Sequence, residues 1–447
     1  MVSAQSSKTL PSSRWTSLDS WDYNGMQERL QTLLFKLDKS VLLRHAESVT
    51  GQRLTMSEPF SAGQYWICFE LVAEDGSLVI ARVRLPRHPD LPSTVTEKDE
   101  LYSISCEVST MQFVSRNPPT VTIPRVYAYE GPGSQLAADA GAIYMLLEGF
   151  YGNTLQDVAF DICSLPVATQ EHIMAQWATV QAELATLTHS QIGTICSASE
   201  QGEPVIGKLS SAAAEGLSNL GPFSSAVDYF TAIAEAALHK PHPSTNGHSN
   251  KDWTSLARLG ALVLLDIIQT TQLFTSSPDA QFPLNHMDLG TQNILVDDAF
   301  NFLAVIDWKF AQTAPWQVNY YPMPFPLIWS GEKIKEALEN PEHLAHKNVS
   351  RQVAARGVYV EKFREAEDKL RREGRPMVGG SFADVLESAA SRVYGCFCRL
   401  RGVPEQDEEL VWEMVRVAFE FGDGGMEEYL GAMKGRLRET GGLNGVE

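Results

Sequence analysis

The sequence predicts an α+β protein, with a small, mostly antiparallel sheet holding one inserted helix, followed by a large helical region that carries one β-hairpin. Three observations point there. Apolar residues alternate at a period of two on either side of Asp75-Gly76, a hairpin turn signal. Ile173, Trp177, Val180, Leu184 and Leu187 recur at 4-3-4-3, the spacing of an amphipathic helix. Two short apolar runs between residues 284 and 307 then interrupt a stretch that is otherwise helical. The expected division is a tail over 1–20, an N-terminal lobe over 21–148 and a helical C-terminal lobe over 149–447.

Each element has its own signal. Leu30, Leu33, Leu34 and Leu37 share one face of a helix expected over Met26 to Leu43. Tyr65, Ile67, Phe69 and Leu71 line one side of a strand, and Leu78 to Leu85 forms its partner. Leu101, Ile104, Val108 and Met111 mark a helix over 97–115. Val121 to Tyr129 and Ala142 to Glu148 read as two more strands. Further helices are expected over Phe230 to Leu238, Leu256 to Leu273 and from Gly331 onward, with Glu365 and Lys369 spaced for an i,i+4 pair. The polar, breaker-rich run 239–252 reads as a loop whose histidines are solvated.

Composition removes several function classes. Thirty-six Lys and Arg against 55 Asp and Glu leave a net charge of -19, which argues against a nucleic-acid binder. No uncharged apolar run reaches the roughly 18 residues that a membrane span needs. The Ser-rich start lacks the apolar core of a secretory signal, so the expected location is the cytoplasm, with reduced thiols. Six cysteines in 447 residues do not make a disulfide scaffold. A metal-dependent hydrolase built on His286 and Asp288 lacks further histidines at usable spacing.

The chemistry concentrates in His286-Met-Asp288-Leu-Gly-Thr-Gln-Asn293, followed by an apolar strand, turn residues and a second apolar strand ending at Asp307-Trp308. Phosphoryl transfer needs a carboxylate beside the acceptor hydroxyl, oxygen ligands for Mg²⁺ and donors for the phosphates. If the hairpin folds about position 300, Asn293 lies across from Asp307, and two hard oxygen donors face one cation. Asp288, one loop away, is placed to take a proton. The bland alternative is an ordinary hairpin with Asp and Asn as turn formers and His286 as a packed core residue.

This H-x-D-x-x-x-x-N spacing with a hairpin ending in Asp resembles the kinase catalytic loop and metal-binding aspartate. With Asp-Trp in place of Asp-Phe-Gly, the chain resembles the aminoglycoside phosphotransferase family, related to choline kinases, in its fungal-type subgroup. The resemblance runs from about residue 55 to 330 and is strongest at 286–308. It implies a bilobal protein-kinase-like fold, ATP and Mg²⁺, and transfer of the γ-phosphate to a small-molecule hydroxyl acceptor, with the N-terminal lobe binding the nucleotide. Carried over, Asp288 is the catalytic base, His286 orients its loop, and Asn293 and Asp307 bind Mg²⁺.

The phosphate clamp departs from the kinase pattern. Ile80-Ala-Arg82-Val-Arg84 stands where a strand lysine is expected, so Arg82 is the first candidate and Arg84 the second. Glu107 intrudes on an apolar helix stripe, which is costly unless it is paired, and Arg82 is its natural partner. Solvation of two strand arginines and a helix-edge glutamate is the alternative. Pro59 to Tyr65, with Gly63, reads as a phosphate-covering loop ahead of the first strand, and Glu148 marks the hinge where adenine meets backbone. Lys309 replaces a residue often acidic or small in the resembled family; it is either a solvated strand end or a residue that contacts phosphate or alters acceptor choice. Aromatic Tyr320, Tyr321, Phe325 and Trp329 either flank an apolar or cationic acceptor or are core, and acids in 405–409 and 420–428 either favour a cationic acceptor or are surface. A kinase-fold nucleotide-binding or scaffold protein without turnover is the rival reading.

Overall fold

The computed structural model describes residues 10–14, 26–63, 65–87, 95–117, 121–210, 220–239, 251–277, 279–319, 321, 329–377, 381–400 and 407–439. Within them the chain forms two compact units. One comprises Met1–Phe160, Cys196–Val205 and Thr291–Lys309, the other Asp161–Ile195, Ile206–Gly290 and Phe310–Glu447. The class is α+β, with an antiparallel-sheet unit and a helical unit.

The sheet unit opens with α1 (Met26–Lys36) and α2 (Lys39–Thr50), then β1 (Leu54–Ala62), β2 (Trp66–Ala73), β3 (Leu78–Arg84), α3 (Glu97–Arg116), β4 (Val126–Glu130), α4 (Gln135–Ala140), β5 (Tyr144–Gly149) and β6 (Asn153–Thr154). Its five-stranded sheet has the order β1-β2-β3-β5-β4, antiparallel throughout. The helix expected from Met26 to Leu43 is two helices. The break comes at Asp38, whose carboxylate accepts the Ser40 N–H at 2.9 Å as the N-cap of α2, while its own N–H donates to Ala140 O. Leu42, Ile67, Phe69, Leu71, Ala81 and Val83 form the dry core of this unit. A capping box of Thr96 and Asp99 starts α3, so its register, and with it the facing of Glu107, is set at its first turn.

Two further readings change on folding. Pro59 to Ala62 is not loop: it lies in β1, and the connection to β2 begins only at Gly63, whose N–H donates to Trp66 O at 2.8 Å. Bulges between Met56, Pro59 and Ser61 let a proline sit in this edge strand. The 291–309 segment, remote in sequence, belongs to the sheet unit. There β6 pairs antiparallel with Leu295 and Val296. Gly152 permits that approach, because a Cβ on it would meet Val296 O at 2.4 Å and Leu303 Cδ1 at 2.5 Å. Gly152→Ala is therefore expected to cost about 1–3 kcal/mol as overpacking, read by chemical denaturation. A loss within 0.5 kcal/mol, on the order of a surface change, would show that the strand can shift.

The helical unit packs Phe230, Leu264, Ile267, Phe274, Val393, Leu410 and Met414 into one core. A second layer sets the helix His346–Arg372 along the helix Val167–Ala185, with the Tyr359 hydroxyl donating to Gln181 Oε1 and Arg375 paired with Glu183. Glu365 and Lys369 do not pair with each other. Glu365 meets Lys362 at 2.9 Å and Lys369 meets Glu373 at 4.0 Å, each over a single turn. Among the described residues no helix is long and apolar enough to cross a membrane. Most of the run 239–252 lies outside the described residues.

Candidate functional site

In the sheet unit, β3 and α3 face each other through two ion pairs. Arg82 and Arg84 are two residues apart on β3, on one side of the strand, and Glu100 and Glu107 are two turns apart on α3. Arg82 Nη1 donates to Glu107 Oε1 at 2.8 Å. Arg84 donates to Glu100, which Arg87 also approaches at 3.5 Å. Glu107 is 1% exposed, so its charge is held by Arg82 rather than by water. Burial pushes the Glu107 carboxyl upward, and the Arg82 guanidinium pulls it back. Burial acts to lower the Arg82 pKa, but Glu107 and Asp307 outweigh it and hold the guanidinium firmly charged. Trp66, on β2, offers its ring face to Arg82 at 5.0 Å.

The second arm of Arg82 reaches the hairpin. Nη2 lies 3.3 Å from Asp307 Oδ1. That hairpin pairs Ile294 with Val305 and Leu295 with Ala304, and a bulge then sets Val296 against Phe302. Asp297 builds the turn, accepting N–H groups of Ala299 at 2.9 Å and Asn301 at 2.8 Å. In this register the Ile306 N–H donates to Asn293 O at 2.9 Å, so Ile306 stands opposite Asn293 and Asp307 falls one position beyond. Asp307 adopts φ 62°, a left-handed conformation that aspartate tolerates better than most side chains. Trp308, fully buried, anchors the bend by donating its indole N–H to Val305 O at 2.9 Å.

The oxygens of Asn293 and Asp307 are the hard donors that Mg²⁺ takes. Among the described residues no group of three or more His, Cys, Asp and Glu is placed to hold a metal. Glu107 Oε2, buried and accepting no hydrogen bond within the protein, adds acceptor capacity beside Arg82. The donor set therefore fits Mg²⁺.

In the helical unit, the strand Phe282–Asn285 pairs with Gln312–Thr313 and with Thr188–His189. It delivers His286 and Asp288. Asn285 fixes the loop that follows: its Oδ1 accepts the Met287 N–H at 2.7 Å, and its Nδ2 donates to Asn319 Oδ1 at 2.5 Å. Met287 takes φ 64°, so the chain turns sharply ahead of Asp288. His286 is 1% exposed and lines a cavity of about 10 Å³ with Gln181, Asn285, Leu289, Asn319 and Phe382. Asp288 is partly exposed.

The other candidates are placed as follows. Gly63 is exposed at the β1–β2 connection. Glu148 pairs with Val79 across β5 and β3, and its carboxylate accepts the Arg125 N–H at 3.2 Å. Lys309 is no solvated strand end. It is partly buried, with Nζ 3.2 Å from the Tyr65 ring centroid, and burial brings its pKa down to about 8. Tyr320, Phe325 and Glu405 lie outside the described residues. Glu420, Glu427 and Glu428 are exposed, Glu409 receives the Ser330 N–H and Lys333, and Trp329 packs on the small apolar cluster of Ala337 and Val349. These acids and Trp329 are surface, cap and packing residues. Sequence reasoning missed Asn285, Asn319 and Trp66. Asn285 meets Asn319 across 34 positions and Trp66 meets Arg82 from the neighbouring strand, contacts that no spacing rule marks.

No protein-family model matches the chain, and no curated protein matches it. Solved structures do. A macrolide 2'-phosphotransferase of type I is similar over 90% of this chain and 96% of its own, at 14% identity and a TM-score of 0.38. A candidate fructosamine-3-kinase from Thermobifida fusca YX-ER1 is similar over 85% of this chain and 99% of its own, at 12% identity and a TM-score of 0.41. An ADP-bound aminoglycoside phosphotransferase, APH(2'')-Ib, is similar over 80% and 99%, at 13% identity and a TM-score of 0.37.

Proposed function

We propose that the protein is an ATP- and Mg²⁺-dependent phosphotransferase that moves the γ-phosphate to a hydroxyl of a small molecule. The observation that carries this reading is the buried Arg82–Glu107 pair whose free arm meets Asp307 at the end of the Asn293 hairpin. A guanidinium fixed by a carboxylate at one edge keeps donors for phosphate at the other. Asn293 and Asp307 would hold Mg²⁺, which neutralises phosphate charge when bound. Asp288 stands five positions before Asn293 in the chain. Asp288 is the base: as the acceptor oxygen bonds to the γ-phosphorus and the bond to ADP breaks, the hydroxyl proton passes to its carboxylate. His286, packed and buried, positions that loop and does no chemistry. Asn285 sets the turn before Asp288.

Asp288→Asn keeps the shape and removes the base. Its expected effect is a fall in kcat of roughly 10²- to 10⁴-fold with nucleotide affinity retained. Steady-state turnover against a panel of hydroxylated metabolites, beside equilibrium nucleotide binding, measures both. A variant with unchanged kcat takes Asp288 out of the reaction.

One contact favours a second reading. Arg82 already stands 3.3 Å from Asp307, where a cation competes with a metal ion. A protein that binds nucleotide without turning it over is the form this competition favours. Nucleotide binding with no acceptor-dependent ADP release across the panel selects that reading.

A further inference from the structure

Lys309 is a charged group of the sheet unit that lies among the proposed site residues and that the mechanism leaves unused. It follows Asp307-Trp308 directly, within the short 3₁₀ turn Trp308–Phe310. Its ammonium does not extend into water. It rests 3.2 Å from the centroid of the Tyr65 ring, on the residue that leads into β2 from the Gly63 connection. The charged groups around it are Asp307, Glu107, Arg84 and Arg82. All four have partners of their own. Arg84 is held by Glu100, and Arg82 spans Glu107 at 2.8 Å and Asp307 at 3.3 Å. Both carboxylates near Lys309 are therefore shared with Arg82, and an aromatic face holds the ammonium.

An aromatic face is a weak seat for an ammonium compared with a phosphate oxygen, which offers full charge and direct acceptors. Lysine also has a long flexible stem, so the head can leave the ring without moving the backbone. We propose that Lys309 is a second phosphate-binding cation beside Arg82, seated on Tyr65 and transferred to the polyphosphate tail of the nucleotide when it binds. Tyr65 then serves as a positioning residue, holding the ammonium beside Asp307 and Glu107. This inference rests on the nucleotide-dependent reading above.

The test uses the full chain and two ligands, ATP and adenosine, titrated calorimetrically in buffered Mg²⁺. Lys309→Met keeps the apolar stem against Tyr65 and removes the charge. ATP affinity is expected to fall roughly 10- to 100-fold, the size of one charge-assisted contact, with adenosine affinity unchanged. Lys309→Arg is expected to recover most of the loss. In the wild type, ATP binding should also relieve or alter the quenching of a Tyr65 reporter, measured as the fluorescence difference between wild type and Tyr65→Phe. An ATP-to-adenosine preference that stays within about twofold in Lys309→Met overturns the proposal and leaves the kinase reading intact. A parallel loss of both ligands also overturns it, since the lysine then supports the fold and not the phosphates. Wild-type protein that binds neither ligand overturns the kinase reading and this inference with it.

Discussion

Asp307→Ala is expected to abolish Mg²⁺-dependent turnover, by at least about 10³-fold, or roughly 4 kcal/mol of transition-state stabilisation. The carboxylate is the charged donor of the proposed metal pair, and Asn293 by itself supplies only a neutral oxygen. The effect on stability should be small by comparison. The Asp307 side chain is 36% exposed and its contact with Arg82 is 3.3 Å, so the lost ion pair is worth about 1 kcal/mol or less. Alanine at φ 62° adds roughly another 1 kcal/mol of backbone strain. Asp307→Asn separates the two effects, because asparagine tolerates the left-handed region and lacks the charge. Turnover measured against Mg²⁺ concentration, with circular dichroism to confirm folding, is the check. Turnover that persists in both variants removes Asp307 from the site.

Glu107→Ala should be the most destabilising single change in the sheet unit. It leaves the Arg82 guanidinium, 13% exposed, without its main counter-charge, and breaking a buried pair from one side costs about 3–5 kcal/mol. It also frees Arg82 to swing toward Asp307, so nucleotide affinity should fall as well. The double change Arg82→Met with Glu107→Leu removes both charges and is expected to recover most of the stability while leaving nucleotide binding lost. Urea denaturation of both variants and the wild type beside nucleotide titration reads both quantities. A loss under 1 kcal/mol in Glu107→Ala would mean that water or Asp307 already satisfies Arg82.

The pairing of Arg82 with Glu107 was legible because it follows from cost. A carboxylate among Ile104, Val108 and Met111 on an apolar helix face must find a cation, and the neighbouring strand had arginines to offer. The hairpin was legible for a similar local reason, since apolar runs on either side of turn residues leave little choice of fold. The precise register was not. A bulge at Leu295–Val296 moves the far strand by one residue, and a bulge comes from backbone fit that no alternation pattern records. The break at Asp38 was hidden in the same way, because the leucine stripe continues through it and the Asp38 N–H is held by Ala140 O, a hundred residues away.

The sequence by itself determined the fold class, the order of strands and helices, and the cluster of acid and amide residues over 286–307, because each rests on periodicity or spacing within one short window. Tertiary structure alone decided what those residues touch. It placed the 291–309 hairpin with the sheet unit, extended the Arg82–Glu107 pair to Asp307, and seated Lys309 on Tyr65. Each of these joins residues 25 to more than 200 positions apart. Contacts at that range are set by how strands and helices pack against one another, and side-chain reach then selects among several chemically equivalent partners.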